Sequence, residues 1–229
     1  LKVSDLKLPN NKYMALKRLW CLKKKFGKNH QFFLHYKTFI EDLISKGYAQ
    51  KARGYGQEGK KWYIPHHGVY HPQKPGKIRV VFDCSAEFQG VSLNKNLMSG
   101  PDLSNQIAGV LVRFREEPVA IMSDIEAMFH QVLIPEKDRD IFRFLWWDNN
   151  DIDGPVIDYQ MCVHVFSATS SPSCCNYALK RTAIDNKESY HSEVTQSILR
   201  NFYVDDLLKS VKDSDTAIRL VHDMISICA

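Results

Sequence analysis

The sequence predicts an α+β fold, with helices covering an antiparallel sheet. Three observations point to it. Helical and strand periodicities are mixed along the chain without strict β-α-β alternation. The 229 residues are 44% hydrophobic and 11% aromatic, enough for a sizeable core in one large domain or two small ones. The apolar runs are short, so none reads as a transmembrane helix and no membrane partner is expected.

Each element follows from a local pattern. The leading LKVSDLKLPNNK has no apolar h-region of a signal peptide. Residues 12–26 (KYMALKRLWCLKKKF) read as a basic amphipathic helix, and 34–46 (LHYKTFIEDLISK) as a second one that Gly47 stops. After the glycine-rich RGYGQEGK, the stretches KWYIPHHGVYHP and GKIRVVFDCSA read as strands. QKPG between them reads as a turn built on Pro75 and Gly76. Residues 102–115 read as a helix with Asp102 or Ser104 near its cap. VAIMSDI (119–125) is a strand followed by the polar-aromatic turn EAMFHQV. IFRFLWW (141–147) and VIDYQMCV (156–163) are strands separated by the turn-rich DNNDIDGP. Residues 171–184 form a helix with Pro172 in its first turn. LRNFYVDDLLKSV reads as strand, two-residue turn, strand, and 214–227 as an amphipathic helix capped by Ser214.

The net charge of +5 is unevenly spread. Residues 1–60 hold 14 Lys and Arg against 4 Asp and Glu, a net of +10, and the remainder holds 17 against 22, a net of −5. The basic segment reads either as a contact for a polyanion or as a solvated helix face. Cys21, Cys84, Cys162, Cys174, Cys175 and Cys228 form no C-x-x-C pair and read as reduced, mostly core thiols of an intracellular protein. His66, His67 and His71 are interrupted by Pro65, Gly68 and Pro72, which suits a strand better than a metal site. Trp146 and Trp147 read as core or strand-edge packing.

The acidic pair of NFYVDDLLKSV poses the chemical question. In a hairpin of 201–204 with 207–211, Asp205 and Asp206 occupy the tip, anchored by Phe202, Val204, Leu207, Leu208 and Val211. Adjacent carboxylates raise each other's pKa, and a hard cation such as Mg²⁺ removes that penalty through oxygen ligands. Asp124 ends an otherwise apolar strand and offers a third acid for a two-metal phosphoryl-transfer site. Residue by residue, the alternative is a plain Asp-Asp turn and a carboxylate capping the turn after its strand.

With these residues in view, the sequence resembles the reverse transcriptases of Pao (BEL/Pao) type retrotransposon polyproteins. The resemblance rests on VYHPQKPGKIRVVFDCSAEFQGVSLNKNLMSGPDL, DIEAMFHQV, DRDIFRFLWW, VFSATSSPSCCNYAL and FYVDDLL, in that order over nearly the whole chain. It implies the fingers and palm of a right-hand polymerase, with a ferredoxin-like antiparallel palm sheet and helices on one face. A basic helical leader over 1–60 would lead into the fingers, with fingers mainly over 61–118 and palm mainly over 119–229. It implies an RNA-directed DNA polymerase that adds deoxynucleoside triphosphates to a primer on an RNA or DNA template. Two Mg²⁺ ions, with Mn²⁺ as a substitute, would be held by Asp124, the Ile125 backbone carbonyl, Asp205 and Asp206. Lys77 and Arg79 would grip the triphosphate, Arg with its two-pronged fork. Phe129 would exclude a ribose 2′-hydroxyl, and Tyr203 and Val204 would neighbour the primer terminus. Read without the family, Lys77 and Arg79 are outward-facing strand residues, Phe129 is a core aromatic, and Tyr203 and Val204 are hairpin packing.

The sequence departs from that pattern in two ways. Ser167 stands where related elements carry a glycine after the phenylalanine, a side chain expected to crowd the nucleotide pocket. Thumb, RNase H, protease and integrase blocks are not among the matched motifs. The expected setting is the cytoplasm, within a virus-like particle, or the nucleus. The rival function is a catalytically inactive nucleic-acid-binding remnant of the polyprotein, and the remaining possibility is a degenerate element with no selected role.

Overall fold

The computed structural model describes residues 1–2, 6–71 and 74–229, without the side chains of Lys74 and Pro75. In chain order the elements are α1 (Lys12–Lys28), α2 (His30–Ser45), β1 (Ala49–Lys51), β2 (His66–His71), β3 (Lys74–Phe82), α3 (Leu93–Asn96), α4 (Ile107–Arg113) and β4 (Val119–Asp124). They continue with β5 (Arg143–Trp147), β6 (Val156–Met161), α5 (Ser171–Asp185), α6 (Ser192–Asn201), β7 (Phe202–Tyr203), β8 (Asp206–Val211) and α7 (Ser214–Cys228). Every ladder between these strands is antiparallel. The chain divides into two compact units, Leu1–Met98 with Leu133–Ser171, and Ser99–Val132 with Pro172–Ala229.

The first unit holds a three-stranded sheet in the order β1-β6-β5 and the β2-β3 hairpin. Helix α1 buries Ala15, Leu19, Leu22 and Phe26, and α2 buries Phe32, Tyr36, Ile40 and Leu43, each at three- and four-residue intervals. Asn29 ends the first helix and caps the second, its side chain accepting from the Phe32 amide at 2.9 Å. Strand β5 is buried along its whole length, and Trp146 and Trp147 are fully buried core residues. Tyr36 stacks on Trp146 at a centroid distance of 5.4 Å. His66 sits inside this aromatic core. Its Nε2–H donates to the Leu145 carbonyl at 2.9 Å, which leaves Nδ1 to accept from the Tyr36 hydroxyl. Burial pulls the His66 pKa down to about 4.

Among the described residues of this unit, one charged side chain is buried. Arg143, fully buried, donates from Nε and Nη2 to Asp140 at 3.0 and 2.7 Å, from Nη2 to the Gly54 carbonyl at 3.2 Å, and from Nη1 to Asp158 at 3.4 Å. Asp158 also accepts from the Tyr63 hydroxyl at 2.7 Å and pairs with Lys12 at 2.6 Å.

The second unit packs one face of a three-stranded sheet, ordered β4-β8-β7, against α5, α6 and α7. Directly opposed residues share a face, so the register defines both faces. Leu207 and Phe202 are opposed on the inner face, together with Ile121 and Val211. Leu179 and Ala183 of α5, Val194 and Ile198 of α6, and Leu220 and Met224 of α7 meet them there. Met122, Asp124, Asp206 and Tyr203 fall on the outer face, and all four are exposed.

The structure differs from the sequence expectations at several places. Gln73 of the expected QKPG turn and Pro72 at the end of the expected strand before it lie outside the described residues, and Pro75 and Gly76 fall within β3. The 102–115 helix is shorter. Asp102 accepts from the Ser104 amide at 2.9 Å in a local turn, and α4 begins after Gln106. Residues 192–201, whose end reads as strand, form helix α6. Helix α7 is capped by Asp213, which accepts from the Thr216 amide at 2.8 Å, and Ser214 is its first residue. Cys21 and Cys228 are exposed and not in the core.

Candidate metal centre

The acidic hairpin is built differently from its sequence reading. Tyr203 pairs with Asp206, so the two-residue turn is Val204-Asp205 and Asp206 already belongs to β8. Val204 has φ of +58°, a conformation that Gly adopts freely and a β-branched residue rarely does. Positive φ at the first of two central residues is the requirement of a type II′ hairpin turn, whose twist matches the flanking strands. Two anchors hold the turn in this shape. Phe202 and Leu207 are buried beneath it, and the Ile125 amide donates to the Asp205 carbonyl at 3.0 Å. That hydrogen bond ties the exit of β4 to the turn.

The same register brings the acids together. Asp124 is the last residue of β4 and lies directly opposite Asp206. Asp205 follows from the turn. One carboxylate oxygen from each of Asp124, Asp205 and Asp206 lies within 4.8 Å of the others. Asp124 and Asp206 are exposed and Asp205 is half-buried. Partial desolvation raises the Asp124 carboxyl above its ordinary range, and the negative charges of Asp205, Asp206 and Glu126 push it further. Among the described residues none of the three forms an ion pair with Lys, Arg or His. Three convergent oxygen donors with no protein cation among them suit a hard divalent ion.

The other expected site residues fall as follows. Phe129 lies in the 3-10 turn Met128–Gln131 and packs, half-buried, against the core of the second unit. Ile125 and Val204 pack against the same core. Tyr203 stands beside Asp206 on the outer face. Lys77 and Arg79 are on β3 of the first unit, where the Arg79 guanidinium lies 6.0 Å from the exposed Phe166 ring. Ser167 turns into the first unit, its hydroxyl donating to the Phe82 carbonyl. Glu126 is the one charged contributor the sequence reading passed over. Its place two residues after Asp124 was the available signal.

No family model matches the sequence, and no curated protein sequence matches it. Solved structures do match the fold. A foamy viral protease–reverse transcriptase, solved in complex with double-stranded DNA, aligns over 82% of this chain with a TM-score of 0.57 and 18% identity. The alignment spans 27% of the viral chain, so this chain corresponds to about a quarter of that protein's length. The class defined by fold and site is a mixed helix and antiparallel-sheet protein with a clustered carboxylate triad. Its fold is similar to part of a reverse transcriptase.

Proposed function

We propose that the chain is the polymerase core of a reverse transcriptase, of the Pao type its ordered sequence blocks resemble. It would add deoxynucleotides to a primer 3′-hydroxyl on an RNA or DNA template. The observation that carries this reading is the meeting of Asp124, Asp205 and Asp206 oxygens within 4.8 Å at one end of a sheet. A reverse-transcriptase-like fold around that cluster supports it.

In this reading the three carboxylates and the Ile125 carbonyl hold a pair of divalent ions, Mg²⁺ by preference. Such ions supply charge neutralisation at the triphosphate and a lower pKa for the primer hydroxyl. The chain's own contribution is position and charge. Tyr203 and Val204 fix the approach to the acids, and the tied turn keeps Asp205 beside Asp124. Phe129 sets the width of the sugar site. Lys77 and Arg79 neutralise phosphate oxygens, Arg79 by its fork.

The test is single-turnover extension of a DNA primer on an RNA template with Mg²⁺, at saturating protein. Incorporation of deoxynucleotides is expected, and Asp205→Asn lowers its rate by roughly 10³-fold or more, since each ion is worth several kcal/mol at the transition state. Incorporation that survives Asp205→Asn unchanged would overturn the reading. So would absence of incorporation in folded protein that also shows no Mn²⁺ binding.

A further inference from the structure

Helix α1 is basic throughout. Its 17 residues contain seven Lys and Arg and no Asp or Glu. Its apolar face is already used, with Ala15, Leu19, Leu22 and Phe26 buried in the first unit. The opposite face carries Tyr13, Lys17, Trp20, Lys24 and Lys28, at spacings of four, three, four and four. That is one continuous stripe on a helix with 3.6 residues per turn. Both rings are open to solvent, Tyr13 at 65% and Trp20 at 44%. The Lys17 ammonium lies 4.5 Å from the Tyr13 ring centroid, and the flanking Lys23 ammonium lies 5.7 Å from the Trp20 centroid. Among the described residues, Lys24, Lys25 and Lys28 have no carboxylate within ion-pair distance. By contrast Lys12 and Lys23, which flank the stripe, pair with Asp158 and Asp153.

We infer that this stripe binds a single strand of nucleic acid, with bases stacked on Tyr13 and Trp20 and phosphates paired to Lys17, Lys24 and Lys28. Unpaired bases present the flat faces that exposed rings can stack on, and the lysines between them meet the backbone. A duplex keeps its bases stacked on one another and leaves the two rings idle. A membrane surface fits less well, because the helix's apolar face lies in the protein core and only the cationic stripe is outside. The contact lies apart from the carboxylate cluster in the chain and requires no catalysis, so it stands or falls separately from the polymerase reading.

The test uses the full chain with a short fluorescent RNA and the duplex of the same length. Single-stranded binding should quench tryptophan emission. Trp62, Trp146 and Trp147 are fully buried, so the quenchable signal belongs to Trp20. Tyr13→Ala and Trp20→Ala should each weaken single-strand binding about tenfold while leaving duplex binding unchanged. Replacing Lys17, Lys24 and Lys28 with Gln should reduce the slope of log K against log salt by about 2, whereas Lys187→Gln, exposed in the second unit, should not. The Asp124, Asp205 and Asp206 to Asn triple variant should retain the binding. Four results would overturn the inference: no quenching, equal losses on strand and duplex, loss of binding in the triple variant, or, in a parallel assay with anionic phosphatidylserine vesicles, ring variants that lose vesicle binding and keep RNA binding.

Discussion

The two units treat charge in opposite ways. The first buries the Arg143 guanidinium and neutralises it from within through Asp140 and Asp158, with the Gly54 carbonyl as a further acceptor. The second gathers three carboxylates at the end of its sheet with no basic side chain in ion-pair reach among the described residues. A buried charge left unpaired costs several kcal/mol, so the first arrangement serves the fold. Concentrated like charges at a solvent-open edge repel one another and are tolerated because solvent reaches them. The difference separates a charge met from within the fold from charges left open to solvent, where the proposed cation would bind.

That contrast makes its strongest prediction at Arg143. Arg143→Ala removes the partner of Asp140 and one partner of Asp158 and opens a cavity in a closed core. A loss of about 3–5 kcal/mol is expected in urea unfolding. All four tryptophans, Trp20, Trp62, Trp146 and Trp147, lie in the first unit, so their emission reports its unfolding. A loss below about 1 kcal/mol would show that the buried network is dispensable, and the contrast between the units would fail on that side.

The fold was legible where one physical signal dominated. The 3.6-residue spacing of Leu19, Leu22 and Phe26 marks α1, and the apolar run before Asp124 marks β4. Helix α6 was hidden because three of its five buried positions are polar. Thr195, Ser197 and Asn201 lie inside, and only Val194 and Ile198 carry the apolar period. The apolar residues from Leu199 to Val204 then read as a strand. The hairpin turn was hidden for a different reason. Val204 holds a positive φ that its own propensity opposes, and tertiary anchoring by Phe202, Leu207 and the Ile125 amide decides the register. In the site, the acids themselves were legible as charges among apolar residues. Their meeting was not, because it depends on the long-range pairing of Asp124 with Asp206. The role of Arg143 was legible in principle, as a lone charge in IFRFLWW.

A second prediction sharpens the contrast through pH. His66 is held neutral, its pKa pulled from 6.5 down to about 4, and burial lowers His164 in the same unit. A depressed pKa means that the unfolded chain binds the proton first. Stability is therefore complete above about pH 6.5 and declines as pH falls toward 4, where the folded state is protonated as well. For His66 the loss across that window is on the order of 3 kcal/mol. Tryptophan-detected unfolding at successive pH values should show it, and His66→Gln should flatten the curve by close to one proton. A curve unchanged by His66→Gln would assign the acid sensitivity elsewhere.

The smallest effect discriminates most sharply, because its sign depends on conditions. Without divalent ions, three carboxylate oxygens within 4.8 Å repel one another, so Asp124→Asn should stabilise the hairpin slightly, raising the melting temperature by about 1 °C. With Mg²⁺ the order should invert. An ion that binds only the folded triad stabilises the unaltered chain by about 1.4 kcal/mol at a tenfold excess over its Kd, and the Asn variant loses most of that gain. The readout is amide exchange at Leu207 and Leu208, which follow Asp206 in β8 and lie in the second unit. Exchange there should slow on adding Mg²⁺ in the unaltered chain and stay nearly constant in Asp124→Asn. Tryptophan-detected unfolding of the first unit serves as the internal control and should respond far less. If Asp124→Asn instead weakened the hairpin equally with and without Mg²⁺, the carboxylates would be acting as hydrogen-bonded parts of the turn. The second unit would then resemble the first in meeting its charges from within, and the argument for a cation site would lose its physical basis.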